Sequence, residues 1–289
     1  MQQSEIQVHE VSLSTAMVIA LCGGHEISRS TGFVWSHNDC QYLVTSWHSV
    51  TGVNPFTGRF LSTRFAARPD AIRVALVTNK LGRKLGYEVP LFDERGDPRW
   101  QVHPRAGEQV DVVAIALPSE DKRPQEPWNI AAKAMNQIDS QQIQAFVGDE
   151  LFVVGYPRNL HMHGLPIWKR AAFATEPNLF RDEPSYRQVW IDCTSREGMS
   201  GSPVIQVARD WYQVGNPMSS VYRFFGLYSG RILDPDADPR LDDQLLAQIG
   251  IIWPEELVQR VVSEGVRDKF RRENQFEATT EVLLKAITE

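Results

Sequence analysis

The sequence predicts an all-β fold with helices at its C-terminal end, and two observations lead to this. Short runs rich in apolar and β-branched residues recur along the chain, and Gly, Pro, Asn or Asp commonly separates one run from the next. Long amphipathic helices do not alternate with these runs, which favours a barrel or a sandwich over a sheet of βαβ units. The predicted strands are Ala16–Cys22, Gly32–Trp35, Tyr42–Ser46, Ala71–Val77, Val110–Leu117, Leu151–Tyr156, Ile167–Thr175, Gln188–Cys193, Pro203–Val207 and Val221–Ile232.

Segments 81–107, 119–144 and 234–243 interrupt this pattern and are predicted to be loops or insertions, the second with one short helix. After Pro254, a favourable first-turn residue, apolar residues fall at helical spacing. We therefore divide the chain into a β domain at 1–253 and a helical tail at 254–289. We expect the tail to dock on the chain's own β domain rather than on a partner. Its apolar positions are Leu257, Val258, Val261, Val262, Val266 and Phe270 in a first helix, and Leu283, Leu284 and Ile287 in a second.

The overall composition argues against several classes of protein. The 289 residues carry a net charge of −6, whereas a nucleic-acid-binding domain usually presents a basic face. The three cysteines, an odd number without close spacing, predict neither a disulfide framework nor a zinc site. The apolar run from Val11 to Cys22 follows two glutamates and no lysine or arginine, and it is too short to cross a bilayer, so we interpret it as a strand. We expect a cytoplasmic protein that binds neither nucleic acid nor membranes.

Three segments carry residues that suit nucleophilic catalysis. Serine is a poor nucleophile at neutral pH, so it needs an imidazole to accept its proton, a carboxylate to orient that imidazole, and N–H donors for the oxyanion. Ser200 lies in the small-residue turn Gly198–Pro203. His48 follows a predicted strand, and Asp111 opens an apolar one. Ser202 stands where the elbow of an α/β-hydrolase needs its second glycine, which excludes that class.

In these motifs, and in their order along the chain, the sequence resembles the trypsin/chymotrypsin-like serine peptidases, in particular their compact bacterial members. The resemblance spans residues 32–232. It implies two six-stranded-type antiparallel β-barrels packed together, with the active site between them. It also implies a serine endopeptidase in which His48 is the general base, Asp111 its orienting carboxylate and Ser200 the nucleophile. The main-chain amides of Gly198 and Ser200 would form the oxyanion hole. Taken singly, a histidine after a strand is more often a structural or surface residue, a serine in a glycine-rich turn is usually only a turn residue, and Asp111 fits a strand-start acceptor. Their joint occurrence in this order indicates the triad.

The resemblance also predicts where a substrate side chain binds. The residue six before the nucleophile forms the base of the pocket, and the strand after residue 225 pairs with the substrate backbone. Because no carboxylate occurs at the base, we expect little cleavage after Lys or Arg. Arg231 would suit an acidic side chain, unless it points to solvent or pairs with Asp234. The predicted substrate-binding residues are Thr194, Ser195, Ser229, Gly230 and Arg231.

Departures from the family pattern predict how the chain is regulated. Met199 stands where zymogen-type members have an Asp that pairs with a new N-terminus, so we expect no N-terminal processing.

The chemistry needs no cofactor and no metal, and His161 and His163 lack further ligands at metal spacing. The expected partner is a polypeptide substrate, with a protein regulator or a multi-protein system as a further option. The rival hypothesis is a catalytically silent barrel that acts as a protein-binding module.

Overall fold

The computed structural model describes residues 8–55, 58, 60–61, 67–77, 84–118, 133–140, 143–178, 188–213, 216–232 and 248–270. Strands dominate these ranges and form two antiparallel sheets, so the predicted all-β class is confirmed. The predicted loop at 234–243 and the predicted second helix of the tail lie outside the described residues.

The N-terminal half supplies seven of the eight strands described in the first sheet, and residues 266–267 add the eighth at one edge. The strands are β1 (Thr15–Cys22), β2 (His25–His37), β3 (Cys40–Thr45), β4 (Ala71–Val77), β5 (Lys84–Pro90), β6 (Trp100–Val102), β7 (Val113–Ala116) and β14 (Val266–Arg267). Their spatial order is β14-β6-β7-β3-β2-β1-β4-β5, and all neighbouring strands are antiparallel. The sheet therefore holds more strands in the described residues than the six that the resemblance implies.

The second sheet has six strands, which are β8 (Glu150–Gly155), β9 (Ile167–Phe173), β10 (Val189–Asp192), β11 (Ser202–Gln213), β12 (Asn216–Arg231) and β13 (Ile249–Pro254). They form a closed barrel in the order β10-β13-β12-β11-β8-β9, and a six-stranded barrel is what the family resemblance implies. Closure leaves no unpaired sheet edge between β9 and β10. The described helices are α1 (Glu10–Ser14), α2 (Trp47–Thr51) and α3 (Glu255–Glu264), with 3₁₀ turns at Met135–Gln137 and Pro157–Asn159.

One apolar core joins the two sheets and helix α3. Phe33 and Val44 come from the first sheet, Leu227 and Trp253 from the barrel, and Val258 from α3, and all belong to the same buried cluster. The apolar stripe of α3 is thus buried against the chain's own β-strands, which removes that surface from water. Within the described ranges, no helix has the length and apolar character that crossing a membrane requires.

Three local predictions were wrong, and each has a physical reason. The segment 81–107 is not only a loop, since it contains β5 and β6. In β5 the buried Tyr87 and Val89 alternate with exposed residues, a strand pattern that the intervening charged and small residues conceal. The run from Val11 is not a strand throughout, because α1 comes first and the His9 side chain accepts a hydrogen bond from its Val11 N–H at 3.2 Å.

The first tail helix is also shorter than its apolar spacing predicts, because it ends at Glu264. Gly265 lies so close to the last turn that a Cβ there would come within 2.1 Å of the Val261 carbonyl oxygen. The chain then leaves the helix, and Val266 pairs with Val102 of β6 instead. The two apolar residues assigned to the end of the helix, Val266 and Phe270, therefore belong to an extended segment on the first sheet.

Candidate active site

His48 and Asp111 meet because two neighbouring strands end side by side. In the β3–β7 ladder Thr45 faces Val113, so helix α2 begins beside the residues that precede β7. Asp111 Oδ1 accepts the backbone N–H of His48 at 2.9 Å, and Oδ2 accepts from His48 Nδ1 at 2.7 Å. The carboxylate is only 1% exposed. It therefore fixes both the backbone and the ring of His48.

A third donor completes the surroundings of the Asp111 carboxylate. The Ser229 hydroxyl of β12 donates a short hydrogen bond to Oδ2. Burying a carboxylate is costly unless charge-assisted hydrogen bonds replace its water, and here three donors do so. Because a carboxylate only accepts, His48 Nδ1 carries the proton. In the neutral imidazole, Nε2 is then left as the proton acceptor.

Glycine makes the turn around Ser200 possible. Gly198 and Gly201 both have positive φ, +91° and +82°. A Cβ on Gly198 would lie 2.4 Å from the Tyr156 carbonyl oxygen, and one on Gly201 would lie 2.0 Å from the Thr31 carbonyl oxygen. Neither position therefore has room for a side chain, and the turn packs directly against backbone of both sheets.

Thr31 of β2 holds this turn at two points. Its backbone N–H donates to the Ser200 carbonyl oxygen at 2.8 Å, and its hydroxyl donates to the Gly198 carbonyl oxygen at 2.7 Å. The same hydroxyl accepts the Tyr156 N–H at 3.2 Å. Thr31 is fully buried, so these bonds are shielded from competition with water. The sequence alone did not single out Thr31 for this role.

The backbone N–H groups of Gly198 and Ser200, assigned to the oxyanion hole, differ in their hydrogen bonding from the other N–H groups of the turn. Met199 N–H donates to the Arg196 carbonyl oxygen at 3.3 Å, and Gly201 N–H donates to the Tyr228 carbonyl oxygen at 2.8 Å. Within the part of the chain that the structure describes, the N–H groups of Gly198 and Ser200 have no protein acceptor. Such N–H groups can bind an anionic oxygen.

A cavity of about 450 Å³ brings the predicted residues together. His48, Asp111 and Ser200 line it, and so do Ser195, Ser229, Gly230 and Arg231. Thr194 does not line it. That residue is exposed, and its hydroxyl bonds the Gln248 side-chain oxygen instead.

Ser200 and His48 lie on the same cavity, but their side chains are not yet in the hydrogen-bonded arrangement that proton transfer requires. Among the described residues, Ser200 Oγ makes no hydrogen bond to His48 Nε2, although both residues line the cavity. Nε2 instead lies 3.4 Å from the hydroxyl of Ser46, which is in turn 2.6 Å from the hydroxyl of Ser49. Catalytic hydrogen bonds are often long without substrate and shorten when it binds.

Tyr228 also lines the cavity, and the sequence did not single it out. Its hydroxyl lies 2.5 Å from Ser195 Oγ, and the two residues are 1% and 3% exposed. Burial raises the pKa of Tyr228 well above its usual value, so the phenol keeps its proton and donates. The ring fills the space beside Gly250, where a Cβ would lie 2.5 Å from Tyr228 Cε2. Two buried, hydrogen-bonded hydroxyl residues thus belong to the lining of the cavity.

Met199 points away from the cavity into the core of the barrel. It is fully buried in an apolar cluster with Cys193, Phe225, Tyr228 and Ile252. Burial also raises the pKa of the Cys193 thiol to about 11, so this residue stays a neutral thiol. Cys22, Cys40 and Cys193, all within the described residues, form no disulfide.

No protein-family model and no curated protein matches the sequence. Among solved structures, the chain is similar to a serine endoprotease from Yersinia pestis, with a TM-score of 0.47 and 13% identity, over 90% of this chain and 67% of that chain. It is also similar to a protease from M. tuberculosis in its active form, with a TM-score of 0.48 and 15% identity, over 90% of this chain and 85% of that one. At these values the neighbours' activity says nothing about this chain, and its chemistry depends on its own site.

Proposed function

We propose that the protein is a serine endopeptidase that cleaves polypeptides through an acyl-enzyme on Ser200. One observation carries the proposal: His48, hydrogen-bonded to the buried carboxylate of Asp111, lines the same cavity as Ser200. A carboxylate that holds a histidine in one tautomer beside an accessible serine is the arrangement that nucleophilic catalysis needs. The cytoplasmic location stays a prediction.

In the proposed reaction, His48 Nε2 takes the proton of Ser200 as Oγ bonds to the substrate carbonyl carbon. The carbonyl oxygen becomes an oxyanion beside the free N–H groups of Gly198 and Ser200. Asp111 stabilises the imidazolium without taking its proton. The C–N bond then breaks as His48 gives the proton to the leaving amine. Water activated by His48 hydrolyses the acyl-enzyme by the same steps and restores the serine.

The cavity supports a preference for acidic or small polar side chains over basic ones. Two guanidinium groups, those of Arg196 and Arg231, line it together with Ser195 and Tyr228. Of the two carboxylates in the lining, Asp111 accepts three hydrogen bonds, and Glu197 is exposed to solvent. Guanidinium groups and hydroxyl donors bind a substrate carboxylate, whereas a substrate ammonium would meet a carboxylate only at the solvent-exposed Glu197.

Hydrolysis of a mixture of unstructured peptides tests the proposed activity. New N-termini are identified by mass spectrometry for the wild-type protein and for Ser200→Ala and Ser202→Ala. Loss of the nucleophile should reduce cleavage by about 10⁴-fold. Ser202 is the matched control, because it is buried two residues away and its hydroxyl has no partner in the described part of the chain. Equal cleavage by wild type and Ser200→Ala would contradict the proposal.

A second candidate is a barrel without catalytic activity that binds proteins. The observation that favours it is that, among the described residues, His48 Nε2 is hydrogen-bonded to the Ser46 hydroxyl and not to Ser200 Oγ. A protein partner that moves the Ser200 turn would convert one candidate into the other. Under this hypothesis wild type and Ser200→Ala behave alike in the peptide assay, while both bind the same partner.

A further inference from the structure

A buried carboxylate outside the cavity touches the helix that carries His48. Asp268 Oδ2 accepts the indole N–H of Trp47 at 2.8 Å and that of Trp100 at 2.7 Å. Asp268 is 8% exposed. Two other buried indoles, those of Trp35 and Trp253, have no acceptor for their N–H groups among the described residues. Asp268 is thus a specific partner for the two indoles that face it.

Asp268 belongs to the segment 266–270, which we name the C-terminal segment. Its first residue, Val266, pairs with β6, and the Asp268 N–H donates to the Trp100 carbonyl oxygen at 3.3 Å. Its last residue, Phe270, packs its ring edge-on against Trp47, with centroids 5.8 Å apart and planes at 87°. The Arg68 guanidinium lies 5.0 Å from the centroid of the Phe270 ring. These contacts fix the segment against the first sheet.

Helix α2 is held from two sides. Trp47 is its first residue and the covalent neighbour of His48. On one side Asp111 binds the backbone and ring of His48, and on the other side Asp268 binds the indole of Trp47. A helix of five residues is too short to be stable by itself, so its position depends on such tertiary contacts.

We propose that Asp268 is a positioning residue, which acts through Trp47 to hold α2 so that His48 Nε2 faces Ser200. This inference rests on the proposed peptidase function. Asp268 does not touch the substrate, and it acts only through the placement of the helix. Catalysis tolerates little displacement, since a misplacement of about 1 Å can cost about a hundredfold in rate. The C-terminal segment would then be part of the active enzyme, although Asp111 and Asp268 are 157 positions apart in the chain.

The substitutions Trp47→Phe and Trp100→Phe give a matched pair. Each removes one indole N–H from the same Asp268 oxygen, at nearly equal distances, and both tryptophans are buried. Only Trp47 is next to His48. We measure the rate of Ser200 labelling by a fluorophosphonate over a range of probe concentrations, together with the thermal unfolding midpoint of each variant.

Trp47→Phe should lower the maximal labelling rate about ten- to a hundredfold and leave the half-saturating probe concentration unchanged. Trp100→Phe should stay within about twofold of the wild-type rate, while both variants lose a similar amount of thermal stability. Equal slowing by the two substitutions would mean that Asp268 only stabilises the fold. No slowing by Trp47→Phe would overturn the proposal outright.

Substitutions of Asp268 test the same proposed effect of Asp268 on His48 through Trp47. Asp268→Asn keeps one carbonyl oxygen that can accept both indole N–H groups, while its NH₂ group faces the Phe270 N–H that Oδ1 accepts at 3.2 Å. This variant should therefore lose thermal stability but retain most of the labelling rate. Asp268→Ala should slow labelling as much as Trp47→Phe. The double variant Trp47→Phe/Asp268→Ala should be labelled no more slowly than either single variant, because both changes remove the same hydrogen bond between Asp268 and Trp47. Additive losses would contradict that effect. If Asp268→Ala does not fold, the matched tryptophan pair still decides.

Hydrogen exchange separates this inference from the peptidase proposal. In α2, Ser49 N–H donates to the Ser46 carbonyl oxygen and Gly52 N–H to that of His48. These amides should exchange faster in Trp47→Phe than in Trp100→Phe, whether or not the protein is an enzyme. Wild-type protein that is not labelled contradicts the peptidase proposal alone. Labelled wild-type protein with equal exchange in both variants contradicts the positioning role alone.

Discussion

Substitution of Asp111 by Asn tests the most buried part of the candidate site. Asp111 accepts two hydrogen bonds from His48, one at each oxygen, and a third from the Ser229 hydroxyl at Oδ2. An Asn side chain has nearly the same shape but only one acceptor oxygen, and its NH₂ group donates. The single Asn oxygen can therefore accept either the backbone N–H or the Nδ1–H of His48, but not both.

The structure indicates which of the two orientations of the Asn side chain has the lower free energy, and by how much. If the Asn oxygen replaces Oδ2, its NH₂ group faces the backbone N–H of His48, and one buried donor loses its acceptor at a cost of roughly 1–3 kcal/mol. If the oxygen replaces Oδ1 instead, the NH₂ group donates to Nδ1 and the Ser229 hydroxyl can turn to accept. The second arrangement is thus favoured by about 5- to 150-fold, and it places the proton on Nε2, where Ser200 needs a free lone pair.

The loss of the charge that stabilises the imidazolium adds to this effect. We expect the fluorophosphonate labelling rate of Asp111→Asn to fall about 10⁴-fold, which is about 5.5 kcal/mol of activation free energy. Ser229→Ala is the control, because it removes one donor to the carboxylate and leaves both His48 bonds; it should slow labelling only about three- to tenfold. Circular dichroism confirms that both variants fold. If the labelling rate of Asp111→Asn stays within tenfold of the wild-type rate, the assignment of Asp111 as the orienting carboxylate is refuted.

Three further predictions concern the turn, the core and the substrate. Thr31→Val keeps the shape of the side chain but leaves the Gly198 carbonyl oxygen and the Tyr156 N–H without partners, so urea unfolding should show a loss of about 1–3 kcal/mol for each group, and labelling of the nucleophile should slow. Unchanged stability would contradict the account of the turn. Met199→Asp places an unpaired charge in the apolar cluster and should cost more than about 3 kcal/mol in the same assay; a variant as stable as wild type would show that Met199 is not packed in the core. Peptide-library cleavage should favour acidic or small polar side chains, and Arg231→Ala should weaken the acidic preference selectively, whereas a profile dominated by Lys and Arg would contradict the pocket.

Five of the six strands of the closed barrel are predictable from the sequence, because each contains an apolar run near turn residues. The sixth, β13, is absent from the predicted strands, although its residues are also an apolar run. Two missed strands of the first sheet, β5 and β14, have weaker signals. In β5 the alternation is regular, yet Lys84, Gly86 and Glu88 make the segment resemble a charged loop. β14 has only two residues, and it exists because it pairs with β6. A pattern within one segment carries no information about such a partner.

The same limit applies to the candidate site. The segments of the triad residues are recognisable, since each combines a polar residue with a local strand or turn pattern. The residues that support them are joined to partners far away in the chain. Thr31 and Gly198 are 167 positions apart, Asp111 and Ser229 are 118 apart, and Trp47 and Asp268 are 221 apart. These pairs follow from the packing of the two sheets, so no spacing rule predicts them.

The central claim is that Ser200 of the folded protein is an activated nucleophile, and covalent labelling tests it most directly. The native protein is treated with a fluorophosphonate probe, digested with trypsin, and the peptide 197–209 is fragmented to separate Ser200 from Ser202. The account predicts a stoichiometric label on Ser200 that unfolding the protein beforehand abolishes and that Ser200→Ala lacks. A native protein that takes up no label, or takes it up on another residue, would contradict the account.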